Sequence, residues 1–315
     1  MPLEIFSSSS DSDNWITCDN ASTCLEHISK IYPSHNATVI DCLSQPVVAD
    51  CASSCLYFCQ RELAAVSLGS CSFEYIGSDD ATTCHVVFAI NKDADIIVGA
   101  HVDGSNTSKH IEQILTIVAS TDVEKSTSLN LYMFGGFCDE EKSSEKLSDD
   151  ILKSLIRSRH RIRLHAACIS GLNSVEKSDG QWPILCGVVY HIPTKRFLPA
   201  KFVNKGPGII IRNVRCMMGD SSLANIYDSQ KKRVVIEPFN YIVPQHASFV
   251  ATAPDNVIRW NFSTSPRVEP PHFEQHMRDT YGFIASHPRP LQSVFDGNKP
   301  ISFQWTGTEW IEVRN

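Results

Sequence analysis

Gly77-Ser78-Asp79-Asp80-Ala81-Thr82-Thr83-Cys84-His85 is a run of small, polar, turn-forming residues that closes on a cysteine, and Val86-Val87-Phe88-Ala89-Ile90 follows at once. Asn91-Lys92-Asp93-Ala94-Asp95 then has turn composition, and Ile96-Ile97-Val98-Gly99-Ala100-His101 is a second β-rich run. Two such runs around a short polar loop predict a β-hairpin. With a loop of two or four residues centred between Lys92 and Asp93, Cys84 is expected directly opposite His101, with Cβ atoms about 4.5–5.5 Å apart. His85 is expected on the other face, because side chains alternate along a strand. A loop of odd length would break this register.

A thiol with a reference pKa of about 8.5 is mostly protonated near neutrality, and a neighbouring imidazole can take its proton to leave the nucleophilic thiolate. The small and hydroxylic residues before Cys84 suit a turn whose N–H groups, over residues 82–84, face a developing oxyanion. Cys84, His101 and that turn together point to acyl transfer on an amide. The bland alternative is a buried cysteine acting as a small apolar residue, one of 12 in the chain.

Outward from the hairpin, residues 7–22 are polar and expected to be loose, and 23–32 to be a short helix. Cys51, Cys55 and Cys59 recur every four residues, but without a CxxC pair or histidines at ligand spacing they predict no metal. Strands are expected at 56–58 and 60–66, and a strand at 72–76 feeds the turn over 77–83. Ser108 is expected to cap a helix to about Ser120 that presents Ile111, Ile114, Leu115 and Val118 on one face. A strand over 128–134 leads to Gly135-Gly136, where a side chain would obstruct the turn. A helix follows over 139–157, with its acidic residues at the N-terminal end. Strands are expected at 164–170, 183–192, 197–203, 233–236 and 239–243, then a helix over 272–286 and a closing hairpin at 302–313. Strand-rich segments alternating irregularly with a few helices indicate an α+β fold, not a doubly wound parallel sheet.

Composition narrows the function classes. The chain has 315 residues, 42% hydrophobic and 20% charged, with net charge −7. No basic stripe appears, so no nucleic acid is expected as partner; Arg157-Ser158-Arg159-His160-Arg161-Ile162-Arg163 is expected to be a helix end and a solvated loop. No apolar run reaches 18 residues, so no membrane span is expected. The first 30 residues lack the pattern of a secretory leader, so the cysteines are expected to be reduced, in the cytoplasm or nucleus. No G-x-G-x-x-G or P-loop points to a nucleotide, and no cofactor is expected. His272 and His276, with Glu269 nearby, suggest zinc only superficially: the Glu directly after the first His of a metalloprotease motif is missing, and no metal is expected.

The stretch resembles the signature of the protein N-terminal asparagine amidohydrolase family. The resemblance rests on Gln60-Arg61-Glu62-Leu63-Ala64, residues 77–85, His101-Val102-Asp103-Gly104, Phe134-Gly135-Gly136-Phe137, Ser263-Thr264-Ser265-Pro266, Glu269-Pro270-Pro271-His272-Phe273, His276, His287-Pro288 and Gly297-Asn298-Lys299, in family order over roughly residues 50–310. Residues 1–50 match poorly, which leaves 51–315 as a single catalytic domain. The resemblance implies hydrolysis of the side-chain amide of an N-terminal asparagine, in proteins or peptides, to aspartate and ammonia, the product being one that an arginyltransferase extends in the N-degron pathway. It places the nucleophile on Cys84. The family core is similar to the chemoreceptor glutamine deamidases and necrotizing-factor deamidases, which implies mixed and antiparallel sheets in a sandwich-like arrangement, a base at His101, and a supporting hydroxyl at Ser78. Recognition of the α-ammonium requires an acidic or carbonyl partner; Asp79, Asp80, Asp103 and Glu269 are the candidates, of which one is expected to serve, with Thr82 and Thr83 as further substrate contacts. A monomer is expected. The alternatives are another Cys–His hydrolase of protease type, or a non-catalytic binding module of the same fold.

Overall fold

The computed structural model describes residues 3–6, 15–35, 37–49, 54–119 and 128–313. Residues 7–14, Cys51 and Ser120, on which expectations were placed, lie outside that set. An eight-stranded mixed sheet runs, edge to edge, β15 (Ala224–Asn225), β5 (Glu62–Ser67), β8 (Ile96–Val102), β7 (His85–Asn91), β9 (Leu129–Gly135), β10 (Ile162–Ile169), β1 (Leu3–Phe6) and β2 (Trp15–Cys18). A five-stranded sheet runs β3 (Val48–Ala49), β14 (Arg196–Lys201), β13 (Val188–His191), β6 (Tyr75–Ser78) and β4 (Cys55–Tyr57). The strands β16 (Tyr227–Asp228), β17 (Arg233–Ile236), β18 (Ile301–Trp305) and β19 (Trp310–Val313) form a further sheet, and β11 (Ser174–Lys177) pairs with β12 (Gly180–Pro183). The helices are α1 (Ala21–His35), α2 (Ala37–Ser44), α3 (Thr107–Ala119), α4 (Ser143–Ile156), α5 (Ile209–Met218), α6 (Ala247–Val250), α7 (Asp255–Phe262), α8 (Phe273–Ser286) and α9 (Pro290–Ser293). The class is α+β with mixed and antiparallel sheets, as the sequence indicated.

The period-2 alternation of β7 explains the layering. Val87 and Ala89 pack into the layer formed by α1, α3 and α4, against Ile114, Leu115, Ile151 and Leu155. Val86, Phe88 and Ile90 pack the other way, onto Ile76, Tyr190 and Phe197 of the five-stranded sheet. The central strand is therefore buried on both faces, as its unbroken apolar run requires.

The hairpin register differs from the expectation. Val86 pairs with His101 and Asn91 with Ile96, so the four-residue loop is residues 92–95. Asn91 fixes it: its side-chain oxygen accepts the N–H groups of Asp93 and Ala94, both at 3.1 Å, and Asp95 takes a left-handed φ of 54°. Continued by one residue, this register sets Cys84 across from Asp103, with His101 as its diagonal neighbour rather than its direct partner. The slip is even, so Cys84 and His101 keep a common face.

Other corrections have local causes. Trp15–Cys18 and the start of α1 are ordered where a loose segment was expected. α4 begins at Ser143, because Asp139 stands before the helix and accepts the N–H groups of Ser143 and Ser144, each at 2.8 Å. The strand expected over 239–243 is irregular between Pro238 and Pro244. α5 and α7 were not read from sequence; α5 opens with Ile209-Ile210-Ile211, a β-branched run that argues against a helix. The basic run ends in structure: Arg161 Nη2 and Arg163 Nε lie 2.9 and 2.8 Å from the carboxylate of Glu4. Among the described residues no helix is long and apolar enough to cross a membrane.

Candidate active site

Cys84 is half-buried and sits one residue before β7, facing the core between the two sheets beside Ala81, Val86 and Phe134. His101, at the end of β8, is on the same side, since it pairs with Val86. Ser78 is the last residue of β6 in the other sheet and is fully buried. Its Oγ lies 2.8 Å from His101 Nδ1, so one hydrogen bond ties the two sheets together. The other ring nitrogen, Nε2, is buried and has no hydrogen-bond partner. His85 goes the other way: its Nε2 is 2.7 Å from Ser148 Oγ on α4, and its ring packs where any side chain on Gly136 would sit.

Burial controls the charge state of the pair. It holds the His101 imidazole down to about 4, although Asp103 and Asp80 pull the other way. It also pushes the Cys84 thiol well above its ordinary value; Asp103, Cys216 and Glu269 add to that rise and Arg61 opposes it. Thiol and imidazole are thus both neutral near pH 7.

The turn before Cys84 is bound on several sides. Asp80 has a left-handed φ of 56°. The Ala81 N–H donates to Cys186 O at 2.8 Å and the Thr82 N–H to Asp80 O at 3.0 Å. Of the N–H groups expected to face an oxyanion, that of Thr82 is therefore already used, whereas those of Thr83 and Cys84 make no turn or loop hydrogen bond among the described residues. Gly135, with φ 102°, carries the chain past this point; a Cβ there would lie 2.8 Å from Cys84 O. Thr82 is buried, and Thr83 Oγ1 lies 3.4 Å from Thr264 Oγ1.

The four acidic candidates separate by their partners. Asp79 is buried and accepts from Tyr57 Oη at 3.1 Å and the Phe202 N–H at 2.7 Å, and its carboxylate is 2.9 Å from Lys205 Nζ. Asp80 binds Lys205 Nζ and, at 2.8 Å, His272 Nε2. Burial would raise Asp80, but His272 and Lys205 hold it well below the usual carboxylate range. Asp103 accepts from Arg61 Nε at 2.6 Å, Gln60 Nε2 at 2.9 Å and both Ser105 donors. Burial is outweighed there by Ser105, Arg61 and Gln60, which bring Asp103 down to about 2. Glu269 is different: it is half-buried, accepts from Ser263 Oγ, and forms no ion pair among the described residues. Burial carries its carboxyl up to about 7 against the Ser263 bond, with Asp80 adding to the rise and Arg259 opposing it.

Beneath the site, Glu62 is fully buried and bound by the fully buried Arg212, with Nη2 at 2.5 Å, while Arg215 Nη2 lies 3.4 Å away. Glu62 also accepts the Cys59 N–H at 2.9 Å. Burial would raise it, yet Arg212 and Arg215 bring it down to about 2. The string Gln60-Arg61-Glu62 thus serves two anchors, one to Asp103 and one to α5. Lys205 and Arg212 were not singled out from sequence, since their partners Asp79, Asp80 and Glu62 lie far away along the chain. Among the described residues, Asp80, His272 and His276 bring ligand atoms within 4.8 Å of one another. Asp80 takes the place that the sequence suggested for Glu269, and the Lys205 ammonium already balances its charge.

A family model described as protein N-terminal asparagine amidohydrolase matches residues 45–312. The chain belongs to that family. It is 33% identical to the human protein N-terminal asparagine amidohydrolase over 250 residues, 79% of this chain and 80% of the relative. The mouse protein of the same name is 32% identical over the same length, and the Arabidopsis thaliana one is 26% identical over 277 residues, 80% of this chain and 78% of the relative. The family match spans Cys84, His101, Ser78 and every acidic candidate.

Proposed function

We propose that this chain hydrolyses the side-chain amide of an N-terminal asparagine in proteins and peptides, giving aspartate and ammonia, with Cys84 as nucleophile. The observation that supports it most is the unpaired Nε2 of His101, on the face of Cys84, with Nδ1 held by Ser78. A ring anchored at one nitrogen and free at the other suits a general base.

In this reading the Cys84 S–H proton passes to His101 Nε2 as sulfur attacks the carboxamide carbon. The N–H groups of Thr83 and Cys84 face the oxyanion. On collapse the C–N bond breaks, and the imidazolium returns the proton to the leaving nitrogen, which departs as ammonia. Water, giving its proton to His101, then attacks the thioester carbon, and the C–S bond breaks to regenerate the thiol. No step calls for a metal or organic cofactor. Glu269 receives the α-ammonium: of the four acids it alone forms no ion pair among the described residues. Asp79, Asp80 and Asp103 build the turn and its supports. The aspartyl product suits extension by an arginyltransferase, and a working thiol suits the reducing cytoplasm or nucleus, with the chain acting as a monomer.

The test is ammonia release from a short peptide with free N-terminal Asn, using wild type and Cys84→Ala, with Gln-started and N-acetylated peptides as controls. Turnover of the free Asn peptide by wild type alone is expected. Ammonia from none of the peptides, or equal turnover of the N-acetylated peptide, would remove this assignment.

A further inference from the structure

A groove of about 440 Å³, which reaches the site at Thr264 where that residue meets Thr83, has no part in the reaction steps above. One wall is the segment after Gly135, whose backbone abuts Cys84 O, and it includes Glu140 and Glu141. The facing wall runs from Thr264, in contact with Thr83, to Val268, next to Glu269. Trp182 and Trp260 line the groove between them. Trp182 donates its indole N–H to Asp179 Oδ1 at 2.9 Å and has Lys177 Nζ stacked over its ring at 4.1 Å, whereas Trp260 is 62% exposed. Four acidic residues (Asp139, Glu140, Glu141 and Asp179) line the groove against one cation, Arg267. Arg267 Nη1 stands 3.7 Å from the Glu140 carboxylate, which is 86% exposed.

We infer that this groove is the subsite for the second and third residues of the substrate polypeptide, and that it favours lysine or arginine there. The inference rests on the function proposed above. With the Asn amide at Cys84 and the α-ammonium at Glu269, both walls lead the following residues into this groove. The exposed indole of Trp260 suits the aliphatic stem of a long cationic side chain and attracts its charge, and the excess of carboxylates acts in the same direction. An acidic residue in the same place would meet like charge.

The experiment compares kcat/KM for ammonia release from Asn-Lys-Lys and Asn-Glu-Glu peptides, with an Asn-Gly-Gly peptide as reference, for wild type and for the Glu140→Gln, Glu141→Gln double variant. The expected wild-type ratio of lysine to glutamate peptide is about tenfold, falling toward one in the variant. Both carboxylates are exposed, so the fold is not at risk, and a second reading is available without mutation: the wild-type ratio should shrink as salt is raised. A ratio near one in wild type that still turns over Asn-Gly-Gly would overturn the subsite alone. A ratio that survives both the double variant and high salt would overturn it too. Absence of ammonia from all three peptides would remove the proposed function and the subsite with it.

Discussion

Ser78 Oγ stands 2.8 Å from His101 Nδ1, and this is a bond between two sheets. Ser78 belongs to β6 of the five-stranded sheet and His101 to β8 of the eight-stranded one. The orientation of the imidazole therefore depends on how the two sheets pack. Ser78→Ala should lower kcat by about ten- to a hundredfold with little change in KM, since it frees the ring without removing the base. Steady-state kinetics on the free Asn peptide checks this. An unchanged kcat would show that packing alone orients the ring.

Glu269 predicts a pH dependence. Its carboxyl titrates at about 7, and the ionised form is the one that holds an ammonium. The peptide α-amine, with pKa about 8, must remain protonated. So kcat/KM should rise as pH passes through about 7 and fall above about 8. In Glu269→Gln the acid limb should move down toward that of His101, at about 4. The same variant should raise KM by about ten- to a hundredfold, the worth of a charge-assisted bond. An acid limb unchanged by this substitution would assign it to another group.

The neutral state of the Cys84–His101 pair has a chemical signature. Burial raises the thiol and lowers the imidazole, so the resting site holds little thiolate. Alkylation of Cys84 by iodoacetamide should therefore be slow at pH 7 and still be rising above pH 9. A plateau already reached by pH 6 would mean a preformed thiolate–imidazolium pair.

The buried carboxylate of Glu62 predicts a stability effect. Its folded-state value, about 2, lies below the ordinary one of about 4.3. The stability it supplies is complete above about 4.3 and is lost as pH falls through about 2, a window it shares with Asp103. Glu62→Gln should cost about 3–5 kcal/mol at pH 7, because it strands the Arg212 guanidinium in the core, and it should flatten the acid limb of stability. Denaturant titrations at pH 7 and pH 3 measure both. Adding Arg212→Met should recover part of the loss; a double variant no more stable than the single one would count against the stranded-charge account.

How much was legible in the sequence differs from residue to residue. The alternation that runs from Cys84 into β7 separates His85 from Cys84 before any coordinates are known, because a strand sends neighbours to opposite faces. The even parity of the hairpin was a condition of the reading that the structure meets, and its centre was not legible. The Asn91 side chain moved the loop by one residue, and a composition rich in Asn, Asp and Lys does not rank the competing turns. Motif strings located Ser78, Cys84 and the acids as a set.

What the sequence by itself determined is the class of the chain and the inventory of its chemistry: an α+β protein with a thiol, an imidazole and a hydroxyl on strand-forming segments. Which carboxylate remains outside an ion pair, among the described residues, was decided by the tertiary structure alone. Lys205 is distant in sequence from Asp79 and Asp80, as Arg212 is from Glu62. Ion pairs form through space, so their partners have no local periodicity or spacing to reveal them. The fold distributes the cations, and Glu269 is the acid they leave over.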